Sequence, residues 1–354
     1  RQSFVYTLAE KRVLAEWGFI FMKKILLIAT GGTIVSKIGK NGLTPQIQAE
    51  ELLQYVPQCR KFCEVETLQL MNLDSTNMCP RDWEIIAGAI RSHYEDFDGF
   101  VICHGTDTLA FTAAVLSYMI QDSPKPVVLT GSQKPIDLEI TDARTNLADS
   151  LLYASDDDSS GVSIVFDGKV IAGTRAKKMR TKSYNAFSSI NYPCLAVIRD
   201  GNILRYNQTK LQGEPIFYEK LDSRVGVFKL IPGVPSDILD YYFRLFNAVV
   251  IESFGTGGIP DASYYRFAEI IEKWRDLGKI LVMCTQVTNE GSDMSVYEVG
   301  KSVKNKFGLL ETYDMTLEAA VTKLMWILSL THDRDEVRRL FYKPVNYDIL
   351  YPVR

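Results

Sequence analysis

Apolar runs that end in glycine and hydroxyl residues recur along the first half of the chain, and they constrain its fold more than any other feature. Lys24–Ala29 (KILLIA) runs into Gly31-Gly32, and Glu64–Leu70, Asp98–Cys103 (DGFVIC) and Pro126–Thr130 (PVVLT) follow it. The continuous apolar run Lys24–Ala29 reads as a buried strand feeding a glycine-rich loop, and the other three stretches read as further strands. Stretches with helical spacing follow them: Gln46–Tyr55, Pro80–His93, Thr106–Ile120 and Thr141–Ala154. Pro80 opens its stretch at a favourable first-turn position. Strand then helix, repeated, predicts an α/β fold with an open, mostly parallel sheet. Val162–Phe166, Asp167-Gly168 and Lys169–Ala172 predict a hairpin on one edge of that sheet.

The rhythm fails over residues 199–224, which are polar and contain Gly201, Gly213 and Pro215. This stretch reads as an interdomain linker. The pattern restarts at Val225–Ile231, with strands at Asn247–Glu252 and Lys279–Cys284 and helices at Asp261–Leu277, Leu317–Leu330 and Arg334–Tyr342. A chain of 354 residues has room for two hydrophobic cores. The expected organisation is a larger N-terminal α/β domain over residues 22–198, a linker over 199–224 and a smaller C-terminal α/β domain over 225–354. Residues 1–21 read as an extension that is not native, with Met22 as the start; a short N-terminal helix is the alternative.

Composition removes several functions. A formal net charge of -3 gives no electrostatic reason to expect nucleic acid or an anionic membrane as partner. No run of 18 apolar residues occurs. The apolar stretch near the N-terminus is interrupted by Glu16 and lacks a small-residue cleavage site, which argues against a signal peptide. The three histidines are too scattered for a zinc site of usual spacing. None of the six cysteines forms a CxxC pair, and their spacing does not suggest a disulfide framework. Neither GxGxxG nor GxxxxGK[ST] is present, so the nucleotide fingerprints do not match.

Ligands of open α/β sheets bind beyond the carboxyl ends of the strands. Four loops leave such ends: Thr30-Gly31-Gly32-Thr33, Asp74-Ser75-Thr76-Asn77, His104-Gly105-Thr106-Asp107-Thr108 and Gly131-Ser132-Gln133. They are rich in hydroxyls, and the third adds a carboxylate. Such a pocket suits a small zwitterion, with Asp107 facing an ammonium group and loop amides facing a carboxylate. A threonine hydroxyl is a poor nucleophile without a base. Lysine can be that base, and Gly173-Thr174-Arg175-Ala176-Lys177-Lys178 offers two. Composition and spacing leave open which threonine attacks.

Ile28-Ala29-Thr30-Gly31-Gly32-Thr33-Ile34 resembles the first signature of the bacterial-type L-asparaginase family, and Gly99–Thr108 (GFVICHGTDT) resembles its second. The resemblance runs from about Met22 into the C-terminal region and includes Asp314–Ala319 (DMTLEA). Asp74-Ser75 and Thr130–Gln133 make the cytoplasmic (type I) branch the closer match. The resemblance implies hydrolysis of L-asparagine through an acyl-threonine intermediate, with no metal or organic cofactor. Thr33 would be the nucleophile, and Thr106 would lie across the substrate from it. Lys178 would bond to Thr106 and, with Asp107, complete a Thr-Lys-Asp arrangement. Asp107 would hold the substrate ammonium group. Ser75 would hold the carboxylate, helped by the neighbouring backbone of Asp74 and Thr76, and Ser132 would shape the oxyanion region. The resemblance further implies a homo-oligomer, a dimer or tetramer.

Three positions depart from the family pattern. Gly42-Leu43-Thr44-Pro45 stands where most relatives carry a tyrosine, Lys177 adds a second cation, and Gly258 replaces a frequent asparagine. Tyr297, in Tyr297-Glu298-Val299-Gly300, is the candidate to replace the missing phenol as a proton relay to Thr33; capping or packing of a short helix is its structural alternative. His104 is expected to orient its loop. Two rival functions remain open: the ammonia-supplying subunit of a tRNA-dependent amidotransferase, which usually carries an extra N-terminal domain, and a silent amino-acid-binding protein on the same scaffold.

Overall fold

The computed structural model describes residues 22–39, 42–45, 47–206, 210–262, 264–296 and 308–350. In the N-terminal part the strands are β1 (Lys23–Gly31), β2 (Ser36–Gly39), β3 (Gly42–Pro45), β4 (Cys63–Leu73), β5 (Gly99–Cys103), β6 (Ile120–Gln121), β7 (Pro126–Thr130), β8 (Gly161–Phe166) and β9 (Lys169–Ala172). They are followed by β10 (Ala176–Lys178), β11 (Phe187–Ser189), β12 (Ala196–Arg199), β13 (Asn202–Arg205) and β14 (Ile216–Phe217). The helices there are α1 (Ala49–Leu52), α2 (Pro80–Ser92), α3 (Leu109–Met119) and α4 (Ala143–Ser155).

Eight of these strands form one sheet in the order β13-β12-β9-β8-β7-β5-β1-β4. The pairs from β4 to β8 are parallel, and the pairs from β8 to β13 are antiparallel. Alternation along β1 feeds two cores. Leu26 and Ile28 pack with Phe100, Ile102 and α2, while Ile25 and Leu27 pack with Val101, Cys103 and α4. Each such fully buried aliphatic side chain contributes roughly 1.5–3 kcal/mol.

The chain leaves β1 for β4 on one side and leaves β5 for β7 on the other. That reversal makes the carboxyl ends of β1 and β5 a topological switch point, the place where open α/β sheets bind ligands. The register aligns Ala29 with Cys103 and Cys103 with Thr130, so three site loops begin level with one another.

The second part contains β15 (Val225–Lys229), β16 (Ala248–Ser253), β17 (Ile280–Thr285) and β18 (Leu310–Glu311), all parallel in that order. Its helices are α5 (Asp237–Leu245), α6 (Phe267–Asp276), α7 (Leu317–Leu330) and α8 (Arg334–Phe341). The two parts join where α3 lies on α7, with Tyr118 stacked on Trp326 at 6.0 Å between centroids. The fold is thus α/β, with a large, mostly parallel sheet and a smaller parallel one.

Several expected elements differ from those observed. The hairpin β8–β9 does take a tight turn, with Asp167 and Gly168 both at positive φ. It is not an edge, because β12 and β13 extend the sheet beyond it. Residues 202–205, expected to be linker, form β13, whose backbone pairs with β12 and whose Ile203 packs against the core. The helix expected from Thr106 starts only at Leu109, which frees Thr106 and Asp107 for the site. The helix expected from Asp261 starts at Phe267.

Candidate active site

Close packing of backbone brings the site loops together. Gly31 and Gly32 have φ of 116° and 84°, in the region that favours glycine. A Cβ on Gly31 would lie 2.2 Å from the Leu73 carbonyl oxygen, and one on Gly32 would lie 2.4 Å from the Gly105 Cα. A Cβ on Gly105 would meet the Ser75 Oγ at 2.5 Å. The glycines therefore let the loops after β1, β4 and β5 touch one another. Thr108 Oγ1 donates to the Ser75 carbonyl at 2.8 Å and ties the third loop to the second.

Lys178, at the end of β10, reaches into this cluster. Its Nζ donates to Thr106 Oγ1 at 2.8 Å and to Asp107 Oδ1 at 2.7 Å. Thr106 is buried, Lys178 is mostly buried, and Asp107 is exposed. The carboxylate thus remains accessible to a ligand while one oxygen holds the lysine. Lys177 points to the opposite face of β10, as strand alternation requires, and pairs with Glu318 at 3.6 Å. This distinguishes the two lysines: only Lys178 contacts Thr106.

Thr33 opens a short 3-10 turn, Thr33–Val35, just past the glycines. It is half-buried, and among the described residues no hydrogen bond joins its hydroxyl to Lys178, Thr106 or Asp107. The β2–β3 hairpin, which carries Leu43 and Thr44, follows directly. Asp74 caps the turn Ser75–Asn77 by accepting from the Thr76 backbone N–H at 3.0 Å. Ser75 is buried against Gly105, whereas Asp74 and Thr76 are exposed. Ser132 is buried and donates to the Lys134 carbonyl at 2.5 Å. Tyr297 lies outside the described residues, as does the extension 1–21.

The structure adds residues that sequence reasoning did not single out. Gln133 Oε1 accepts from Thr106 Oγ1 at a long 3.4 Å, and Gln133 Nε2 donates to the Ser183 carbonyl at 3.2 Å. The loop carrying it is pinned by Asp142, which accepts from the backbone of Gln133 at 2.9 Å and of Lys134 at 3.1 Å. Asn146 Nδ2 donates to the Gly131 carbonyl at 3.0 Å. Burial pushes the Asp142 carboxyl up, against the pull of those amides. The available signal was Thr141-Asp142 at the head of a helical stretch, which reads as a cap and carries no hint of a loop anchor.

His104 orients its loop as expected. Burial holds it down at about 4, so it is neutral near pH 7. Trp83 Nε1 lies 2.9 Å from Thr112 Oγ1, which lies 2.9 Å from His104 Nε2; His104 Nδ1 lies 2.7 Å from the Gly105 carbonyl. Trp83 can only donate and the carbonyl can only accept. The proton of the neutral ring is therefore on Nδ1, and Thr112 donates to Nε2. Both ring nitrogens are committed, and His104 has no free nitrogen for proton transfer.

Among the described residues no helix is long and apolar enough to cross a membrane. The family model for the N-terminal asparaginase domain matches residues 24–212, and the model for the glutaminase/asparaginase C-terminal domain matches residues 224–341. An L-asparaginase of Thermococcus kodakarensis is 38% identical over 92% of this chain and 99% of its own length. The solved structure of the thermostable L-asparaginase from that organism superposes with a TM-score of 0.88 at 37% identity, covering 93% of this chain and 100% of that one. A glutamyl-tRNA(Gln) amidotransferase subunit of Methanobrevibacter smithii is 32% identical over 91% of this chain and 76% of its own length. With both domain models matched in order and the fold shared along nearly the whole length, the chain belongs to the asparaginase family.

Proposed function

We propose that the chain is an L-asparaginase that hydrolyses L-asparagine to L-aspartate and ammonia through an acyl-threonine intermediate. The observation that carries this reading is Lys178, which bonds at once to a buried threonine hydroxyl and to an accessible carboxylate. Asp107 takes the substrate ammonium group, and Ser75 with the Asp74–Thr76 backbone takes the carboxylate. Two fixed charged ends leave the side-chain amide between Thr33 and Thr106. Thr33 attacks the amide carbon and passes its proton through a relay to the departing nitrogen, which leaves as ammonia. Loop donors around Ser132 stabilise the oxyanion. Water then adds to the resulting ester, the bond to Thr33 Oγ1 breaks, and the water proton passes by way of Thr106 and Lys178 to Thr33 Oγ1, which restores the hydroxyl and frees L-aspartate.

A substrate ammonium group at Asp107 would share the carboxylate with Lys178. Tyr297 is the candidate relay to Thr33, with Tyr297→Phe lowering kcat about ten-fold, or roughly 1.4 kcal/mol of barrier. Unchanged kinetics in that variant would refute the relay. The reading includes a cytoplasmic homodimer or homotetramer that uses no cofactor.

Ammonia release from L-asparagine by the purified protein tests the proposal. Thr33→Ala and Thr106→Val should each abolish release while binding of L-aspartate persists. The likeness to an amidotransferase subunit supports a second reading, in which ammonia serves a partner enzyme. Steady turnover of free asparagine with no partner and no tRNA separates the first reading from the second. Binding without ammonia release points to a silent binder.

A further inference from the structure

We propose that Arg175 is a positioning residue for the reaction: anchored in the C-terminal part of the chain, it fixes the strand that presents Lys178 to Thr106 and Asp107. The inference rests on the role proposed for Lys178 and extends it to a residue outside the pocket. Arg175 stands one residue before β10 and three before Lys178. Its side chain is fully buried. Among the described residues, the hydrogen bonds of that side chain all go to the C-terminal part. Nη2 donates to Asp314 Oδ2 at 2.7 Å, Nη1 to the Asp314 carbonyl at 2.7 Å, and Nε to the Tyr347 carbonyl at 2.5 Å.

The neighbours of Arg175 are fastened in the same way. Thr174 Oγ1 donates to the Asn346 carbonyl at 2.6 Å, and Thr316 Oγ1 donates to the Thr174 carbonyl at 3.0 Å. Lys177 pairs with Glu318. Thr174, Arg175 and Lys177 therefore all bind residues 314–318 or 346–347, while Lys178 alone turns to the pocket. Such a strand has little freedom to shift, and the 2.7–2.8 Å bonds of Lys178 need that precision.

Backbone strain marks the same contact. Asn346 and Tyr347 lie at φ of 47° and 64°, and Tyr313, just before Asp314, lies at 48°. Residues other than glycine rarely adopt this region, and they stay there only where surroundings over-determine them. These strained positions supply or adjoin the carbonyls that receive Thr174 and Arg175. Asp314 also accepts from the Leu350 backbone N–H at 3.1 Å, so one carboxylate holds both the arginine and the terminal segment. Tyr192 lies under the guanidinium at 5.6 Å and stacks on Tyr347. A residue needed only for bulk would not require a guanidinium with acceptors converging on three of its nitrogens.

The test compares the parent with Arg175→Lys, which keeps the charge but loses the fork. In folded protein, shown by circular dichroism and a cooperative melt, kcat for asparagine should fall at least ten-fold. KM should stay within two-fold, because Asp107 and Ser75 lie on other loops. Hydrogen exchange of the Ala176–Lys178 amides should quicken relative to β5. A folded variant with kcat within two-fold of the parent, or with kcat and KM changing together, overturns the proposal. If Arg175→Lys does not fold, Tyr192→Leu takes its place, with a three-fold or larger fall in kcat expected and an unchanged kcat contradicting. Lys178→Met separates the two levels of the argument. If that variant keeps parental activity, the role of Lys178 fails; exchange at 176–178 then still decides whether Arg175 anchors the strand.

Discussion

Lys178 makes two contacts that do different chemistry, and each can be removed separately. Lys178→Met removes the proposed proton acceptor and the donor that Thr106 Oγ1 accepts from. Removal of one member of a nucleophile-and-base unit usually costs as much as removal of the unit. The expected loss in kcat is on the order of a thousand-fold, about 4 kcal/mol of barrier. Thr33→Ala and Thr106→Val should show similar losses in steady-state ammonia release. A variant of either threonine within ten-fold of the parent would remove it from the mechanism. Asp107→Asn should act differently, raising KM for asparagine as well as lowering kcat, because Asp107 is assigned both to the substrate and to Lys178.

Among the elements, the segment that joins β5 to α3 carries Thr106 and Asp107 and is held by His104. Burial keeps His104 at about 4 in the folded chain, against an ordinary value of 6.5. As pH falls through 6.5 the unfolded chain gains a proton that the folded chain refuses until pH reaches about 4. The stabilisation is complete above the upper value, is lost as pH falls toward the lower one, and amounts to roughly 3 kcal/mol. His104→Asn should flatten this part of the stability–pH curve, measured by urea unfolding between those two values. An unchanged slope would mean that another group causes it.

The strand ends of this element were legible because five apolar residues bounded by Asp98 and His104 leave little choice. The start of α3 was not. Thr106, Asp107 and Thr108 fit a helix start by type, yet they stay in a turn, where Thr108 bonds to Ser75. That bond joins residues 33 apart, which no local pattern reveals. Asp142 escaped notice for the same reason, Gln133 stood out only as a member of its loop, and Arg175 only as part of the stretch that carries the two lysines. The signatures mark loops that the structure brings together; the anchors behind them depend on tertiary contacts. The edge position expected for β8–β9 was wrong because β12 and β13 extend the sheet, through strands of four residues each, too short for their apolar positions to show a pattern.

At the scale of the whole molecule, buried charge joins the two parts. Lys323 donates to Asp348 at 2.6 Å with both side chains at 0% exposure, and Tyr118 donates to the same carboxylate at 2.9 Å. Burial pushes the Lys323 ammonium down, and the Asp348 carboxylate opposes that shift. Removing one partner of such a pair leaves the other charge buried and alone. Asp348→Ala should cost roughly 3–5 kcal/mol in urea unfolding. A loss below about 1 kcal/mol would show that the charges are relieved in another way. The site as a whole should also prefer asparagine to glutamine, since two fixed ends tolerate an added methylene poorly, by about 1–3 kcal/mol in kcat/KM. Equal efficiencies on the two amides would contradict that geometry.

Ammonia release per site under saturating asparagine, measured for the parent chain and for Lys178→Met in parallel, tests the proposed chemistry most directly. Continuous turnover by the parent, and a fall of about a thousand-fold in a variant that still folds and binds aspartate, is the predicted result. No turnover by the folded parent, or a Lys178→Met rate within ten-fold of it, would contradict the assignment of this site to asparagine hydrolysis through lysine and threonine.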